Sequence, residues 1–363
     1  MKPKLLINIQ LLRLVAAAWV LLYHTAMRLP TADSELGGLY RLGEAIGFAG
    51  VDIFFVLSGF IMAHTTIQHS GVSDSAHFLG RRLARIYSGY WPFFALTLLV
   101  FSWTRARHVE QAQLLESFFL WPIPLSRNLL EISWTLSYEL YFYALFGLII
   151  SAVPCPSRAR LLQVITTCLL ITMIYRHALL GAFRPENIYF VPFATQFLLS
   201  PFLIEFFAGA ALAYGLQNTS GQKAWIWLML GIAAFLSGAV INHSVYDGHI
   251  EQGFHVLPRV IWFGTAALFL ITGLVKLEHA GVTAPRRLSV RGGGASYAIY
   301  LSHIPLLEVT RQLGLNTALA AFSPTLIAFV YALVMLVIIA LSCLHYELIE
   351  RRLLRVFRRA LRV

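Results

Sequence analysis

Two ionisable residues interrupt an apolar run near the start of the chain. Arg13 and His24 stand eleven positions apart in IQLLRLVAAAWVLLYHTAM, Ile9 to Met27. Asp52 lies in the second apolar run and Glu139 in the fourth. A charged group in a lipid-crossing segment costs several kcal/mol, ~3 on insertion scales, so such groups mark pathways or reaction centres. At ~100° per residue, eleven positions come within ~20° of whole turns and rise ~16 Å, which puts Arg13 and His24 on one helical face at different depths. A histidine with a carboxylate suits general-base catalysis, and equally a proton relay in a transporter. The plainer alternatives are Arg13 paired with Asp52 or Glu139 as packing glue, and His24 as a hydrogen-bonded core histidine.

A second cluster is cationic. In RRLARIYSGYWPF, Arg81, Arg82 and Arg85 are followed by Tyr87, Tyr90 and Trp91. Clustered guanidiniums grip phosphates and aromatic rings stack on a base. A solvated anchor with an aromatic belt has the same composition.

The elements that must carry these groups are membrane helices. Of 363 residues, 58% are hydrophobic and 12% charged, where a soluble domain has about 25% charged residues. The apolar stretches are ~20 residues long rather than ~10 and alternating, so the expected fold is all-α and polytopic. About ten spans are expected: 5–27, 45–66, 86–104, 132–152, 161–180, 188–214, 224–242, 258–275, 295–313 and 322–346. Pro201 and Pro305 are expected to kink two of them. With the N-terminus inside, the inner segments hold 18 Lys and Arg, among them Arg158 and Lys276, and the outer loops hold 9, among them Arg28, Arg41, Arg184, Arg259 and Arg311. The bias predicts both termini in the cytoplasm. The outer loops also carry acids such as Asp33, Glu35 and Glu251. Residues 1–346 read as a single transmembrane domain, and 347–363 as a basic amphipathic cytoplasmic tail on anionic lipid. The net charge of +11 therefore calls for no nucleic acid. Lys2 and Lys4 before an apolar run imitate a signal peptide, but Arg13 inside the run argues against one. Cys155, Cys168 and Cys343 have no metal-binding spacing, and no metal is expected.

Six motifs, in order along most of the chain, resemble membrane acyltransferase family 3, the bacterial carbohydrate O-acyltransferases, and within it the exopolysaccharide O-acetyltransferase-like members. They are RLVAAAWVLLYH, GVDIFFVLSGFIM, RRLARIYSGYW, SWTLSYELYFY, SYAIYLSHIPLL and HYELIERRLL. The resemblance implies an enzyme of the bacterial inner membrane that takes an acyl group, usually acetyl, from coenzyme A on the cytoplasmic side. It passes that group to a hydroxyl of a surface or secreted glycan. By motif position, Arg13 and His24 carry over as the functional pair, with His24 the base. Asp52 and Glu139 carry over as motif acids, and Arg81, Arg82 and Arg85 as a coenzyme A contact, with Tyr87 and Trp91 beside them. His303 matches a motif histidine whose plainer role is a packing hydrogen bond. Ser88 and Arg352 stand where the family commonly has proline.

The chemistry expected on this basis has His24, oriented by Asp52 or Glu139, take a proton from a sugar hydroxyl as it attacks the thioester. Arg13 would bind the pantetheine or counter oxyanion charge. Direct transfer and an acyl-His24 intermediate both remain open. Ser58 reads as small-residue packing with Gly59 rather than as a nucleophile. The partners implied are membrane lipid, acyl-CoA, a carbohydrate acceptor in free or lipid-linked form, and glycan-assembly proteins. The rival classes are a proton-coupled transporter or flippase for a sugar or lipid-linked sugar, and a non-catalytic assembly partner. No repeat halves of the kind common in transporters are visible.

Overall fold

The computed structural model describes residues 5–28, 37–179, 181, 192–217, 219–250 and 256–363. Lys2, Lys4, Asp33, Glu35, Arg184, Glu251 and the start of the 188–214 span lie outside the described residues. Those described form helices α1 (Ile7–Ala26), α2 (Gly37–Ile46), α3 (Gly50–Thr66), α4 (Val72–Thr104), α5 (Ala106–Gln111), α6 (Leu114–Phe118), α7 (Trp134–Ala152), α8 (Cys155–Ala178), α9 (Phe193–Leu198), α10 (Phe202–Gly215) and α11 (Ala224–Tyr246). Then come α12 (Val256–Arg259), a π-helical turn (Val260–Gly264), α13 (Thr265–His279), α14 (Arg286–Gln312), α15 (Leu315–Leu319), α16 (Pro324–His345), a second π-helical turn (Tyr346–Glu350) and α17 (Arg351–Ala360). No strand occurs among the described residues.

Nine helical stretches among the described residues are long and apolar enough to cross a membrane. The tenth expected stretch, 295–313, is helical within α14 but is not one of them. Its helix carries Arg286, Arg287, Arg291, Glu308 and Arg311. It can afford them because Ala295, Ala298, Ile299, Leu301, Ser302, His303 and Ile304 are buried in protein. The opposite extreme is α11, where Trp225, Ile226, Met229, Leu236 and Val240 are exposed. Such an apolar outer surface belongs in lipid.

One of the two prolines expected to kink a span instead starts a helix. Pro201 stands at the N-cap of α10 and separates it from α9, as fits a residue that lacks an N–H to donate. Pro305 lies inside α14, and Pro92 inside α4, and both helices continue past them. With serine at position 88, α4 runs unbroken from Val72, so Arg81, Arg82 and Arg85 ride on the membrane helix itself. With arginine at position 352, the last helix continues through a π turn into α17.

Packing divides the chain into two compact units, each assembled from separated segments. One comprises residues 1–13, 51–79 and 141–290. In it, Gly59 faces the Phe206 carbonyl and Gly209 faces the Val56 carbonyl, so closely that an added Cβ would stand 1.8 and 2.1 Å from those oxygens. These glycines let α3 and α10 cross backbone to backbone, the small-residue packing expected of membrane helices. Ser58 joins that packing through Tyr143, 3.4 Å away. Glu278 accepts from the backbone N–H groups of Ile7 and Asn8, at 2.8 and 2.9 Å. It thereby satisfies otherwise orphaned donors at the positive end of α1.

Three cations of this unit, counted as loop charges from the sequence, are buried. Arg158 donates to the carbonyls of Val153, Ile150 and Thr66. Lys276 donates to Thr219 and Ser220, both at 2.8 Å, and Arg259 pairs with an acid. Taking Arg158 and Lys276 from the 18 and Arg259 from the 9 leaves sixteen and eight, an unchanged ratio.

The other unit comprises residues 14–50, 80–140 and 291–363. Gly43, Gly47 and Gly50 face Leu22, Tyr23 with Trp19, and Ala16, which brings α2 and the turn after it onto α1. Leu22 and Ala26 pack with Leu319, Ile327, Ala328 and Tyr331. The arginines of α17 are exposed, while Phe357 turns inward to meet Trp91 at 5.5 Å between ring centres.

Candidate active site

In the second unit, α1 and α14 bring two imidazoles together. His303 Nε2 lies 3.2 Å from His24 Nδ1. His24 Nδ1 is also 3.0 Å from the Val20 carbonyl, and His303 Nδ1 is 3.2 Å from the Ile299 carbonyl. A carbonyl oxygen only accepts, so each Nδ1 must carry the proton. In a neutral His303 ring, Nε2 is then the acceptor, and the His24 Nδ1–H is shared between Val20 and His303. This leaves His24 Nε2 with its lone pair, the form a general base requires. His303 is wholly buried, and Tyr300 packs its edge against it at 5.9 Å. Tyr300 is itself fixed by its hydroxyl, which donates to the Ile132 carbonyl at 3.2 Å.

The partner of His24 thus comes from a position 279 residues away, and it is a histidine rather than the expected carboxylate. Asp52 belongs to the other unit. It sits in the first turn of α3, where a carboxylate is favoured by the helix dipole. Arg259 grips it there, Nε at 3.0 Å from each oxygen and Nη2 at 2.7 Å. The pair is buried, with Phe202 against the guanidinium. Glu205 of α10, 1% exposed, faces both Asp52 and Arg259. Gly264 in the π turn makes room for it, since a Cβ there would stand 2.9 Å from Glu205 Oε1. Such turns recur at functional sites.

Arg13, half-buried on α1, donates to Gln10 at 3.1 Å. Glu139 is half-buried in the second turn of α7.

The arginine turn on α4 belongs to the second unit. Arg85 pairs with the buried Glu350 and points at the Gly294 carbonyl, 3.4 Å away, with Tyr297 and Tyr346 against its guanidinium. Gly89 and Gly294 allow this approach, each leaving space that a Cβ would take from Tyr297 or Tyr346. Arg81 and Arg82 are half-buried one turn earlier. Tyr87, Tyr90 and Trp91 donate to the carbonyls of Phe119, Ser117 and Phe118 at 2.8, 2.7 and 3.2 Å. These three rings therefore staple the 114–120 segment to α4. Phe118 covers one face of Trp91 at 4.9 Å.

Helix α14 links the two features of this unit. Tyr297 meets Arg85, and His303 meets His24 six residues on, a rise of about 9 Å.

Sequence reading missed Arg259 and Glu205 as companions of Asp52. An acid inside the apolar run FLIEFF was the available signal. Nothing local marked Arg259.

A half-buried, tautomer-fixed histidine in a multi-helix membrane protein defines a candidate proton-transfer site. The acyltransferase family 3 profile, described as an acyltransferase domain, matches residues 6–344, and the chain belongs to that family of acyltransferases. It is similar to the "Exopolysaccharide production protein ExoZ" of Rhizobium meliloti (strain 1021), 29% identical over 337 residues, which cover 85% of this chain and 90% of that protein. No solved structure matches the chain.

Proposed function

We propose that this protein moves an acetyl group from acetyl-CoA to a hydroxyl of a glycan in exopolysaccharide production, at the bacterial cytoplasmic membrane with both termini inside. The observation that carries the reading is the His24–His303 pair, which leaves His24 Nε2 as an acceptor. The similarity to a protein named for exopolysaccharide production supports the acceptor class. In the reaction, the hydroxyl oxygen attacks the thioester carbonyl while His24 Nε2 takes its proton. The new C–O bond forms, the C–S bond breaks, and the proton passes from His24 to the departing thiolate. His303 is a positioning residue in this scheme, and Arg13 counters charge on the carbonyl oxygen. Glu139, and Asp52 held by Arg259 in the other unit, are the acids proposed to support the reaction.

The donor phosphates are assigned to Arg81, Arg82 and Arg85. The ~15–20 Å reach of an extended pantetheine arm exceeds the rise along α14 between Tyr297 and His303. Tyr87 and Trp91 shape this end through the 114–120 segment. Arg85→Ala is expected to raise the KM for acetyl-CoA more than that for the acceptor. It should also lower the melting temperature, because it strips the guanidinium from a buried carboxylate. Equal changes in the two KM values would contradict a donor site here.

The reading is tested with purified protein in detergent or nanodiscs, acetyl-CoA labelled in the acetyl group, and glycan from the producing strain. Label in the glycan is the expected result. Solute movement across vesicles without label transfer would place the chain among transporters instead.

A further inference from the structure

A second constellation lies at the His24 end of the second unit. Arg28, one turn past His24, donates from Nη1 to the His24 carbonyl at 2.8 Å. It is anchored through its own carbonyl, which accepts from Asn316 at 3.2 Å, and Tyr331 in turn donates to Asn316. Burial draws the Arg28 pKa down, Glu308 draws it up and Arg105 draws it down again.

Glu308 is 2% exposed, and Arg311 grips its Oε1, with Nε at 2.9 Å. Arg105 Nε stands 3.9 Å from Glu308 Oε2, and its Nη1 stands 3.7 Å from Glu131 Oε1. Both distances exceed hydrogen-bond length, which for N–H···O ends near 3.2 Å. Arg105 therefore has donors in hand. Its guanidinium carbon lies over Phe101, 5.2 Å from the ring centre, and its side chain is 35% exposed. Arg105 and Arg311 thus share Glu308, Arg105 also faces Glu131, and Arg28, tied to the proposed base, brings the balance to one excess positive charge.

A planar guanidinium with free donors is matched to a two-oxygen anion, which it binds through two parallel hydrogen bonds. Used only to pin this end of the unit together, Arg105 would hydrogen-bond Glu131 or Glu308 rather than stand at ion-pair distance from both. We propose that Arg105, flanked by Arg28 and Arg311, binds an oxyanion of the acceptor, a carboxylate or phosphate, and so seats an anionic glycan beside His24. This deepens the proposed function and rests on it. A sugar carboxylate and the pyrophosphate of a lipid-linked saccharide offer the same chemistry.

The test measures equilibrium binding of three probes to the full chain in nanodiscs: polyprenyl pyrophosphate, a glucuronate-containing oligosaccharide and its neutral glucose counterpart. Wild-type protein is expected to bind one anionic probe at least ten-fold more tightly than the neutral one, less so at high salt. Arg105→Gln should lose that preference, and Arg105→Lys, which keeps the charge without the fork, should keep part of it. Tight binding of the polyprenyl probe alone assigns the site to phosphate, and of the glucuronate probe alone to carboxylate. Equal binding of all three probes, or an undiminished preference in Arg105→Gln, overturns the proposal. Label transfer from acetyl-CoA is run in parallel. An Arg105-dependent preference without transfer keeps the anion site and overturns the transferase reading. Transfer without any anionic preference overturns the site alone.

Discussion

Replacing His24 with alanine is expected to abolish glycan acylation while the protein still inserts and folds. Removal of a general base costs about 10²- to 10⁴-fold in rate, a loss that mass spectrometry of the surface glycan reads as missing acyl mass. The fold should tolerate the change. His24 is half-buried, and its bond to Val20 lies within its own helix. The Arg28 side chain holds the His24 backbone carbonyl, which alanine retains. His303 would lose one partner but keep its bond to Ile299. Near-normal acylation in cells carrying only the variant would remove His24 from the chemistry, and with it the reason His303 is placed where it is.

The largest expected effect on stability is at Arg259. Its guanidinium pairs with the buried Asp52, and Glu205 faces the same pair. Arg259→Ala would leave two buried carboxylates side by side without their cation. Breaking a buried pair from one side costs about 3–5 kcal/mol, a large share of the roughly 5–15 kcal/mol that holds a domain together. The variant should melt far below wild type in the same detergent, and an unchanged melting temperature would contradict the assignment. The triple variant Arg259→Met, Asp52→Asn, Glu205→Gln removes all three ionisable groups together and should recover much of the loss, because neutral replacement of a buried ion group is often tolerated. Its activity separates two roles for Asp52. A folded but inactive triple variant supports an acid used in the reaction, whereas full activity makes the Asp52–Arg259 pair purely architectural.

How much of this was legible beforehand differs by kind of feature. Apolar runs show directly, because lipid demands about twenty apolar residues to cross it, and nine of the expected spans stand. The 295–313 stretch was harder, because its polarity reflects burial against protein rather than contact with lipid. Helical spacing linked Arg13 with His24, and the same spacing links His24 with Arg28. It could not link His24 with His303 or Asp52 with Arg259, which are 279 and 207 residues apart. Those partners depend on how separated segments interleave into two units, and no local pattern records that. Pro201 shows a related limit, since a proline that starts a helix and one that kinks it look alike in a hydrophobic run.

The central claim is that His24 works through Nε2 because its Nδ1 carries the proton. Nitrogen NMR of protein labelled in the histidine rings, with His24→Gln used to assign the resonance, tests this directly. The His24 ring is expected to show a protonated Nδ1 and an unprotonated Nε2 at neutral pH. A His24 ring protonated at Nε2 alone would contradict the account.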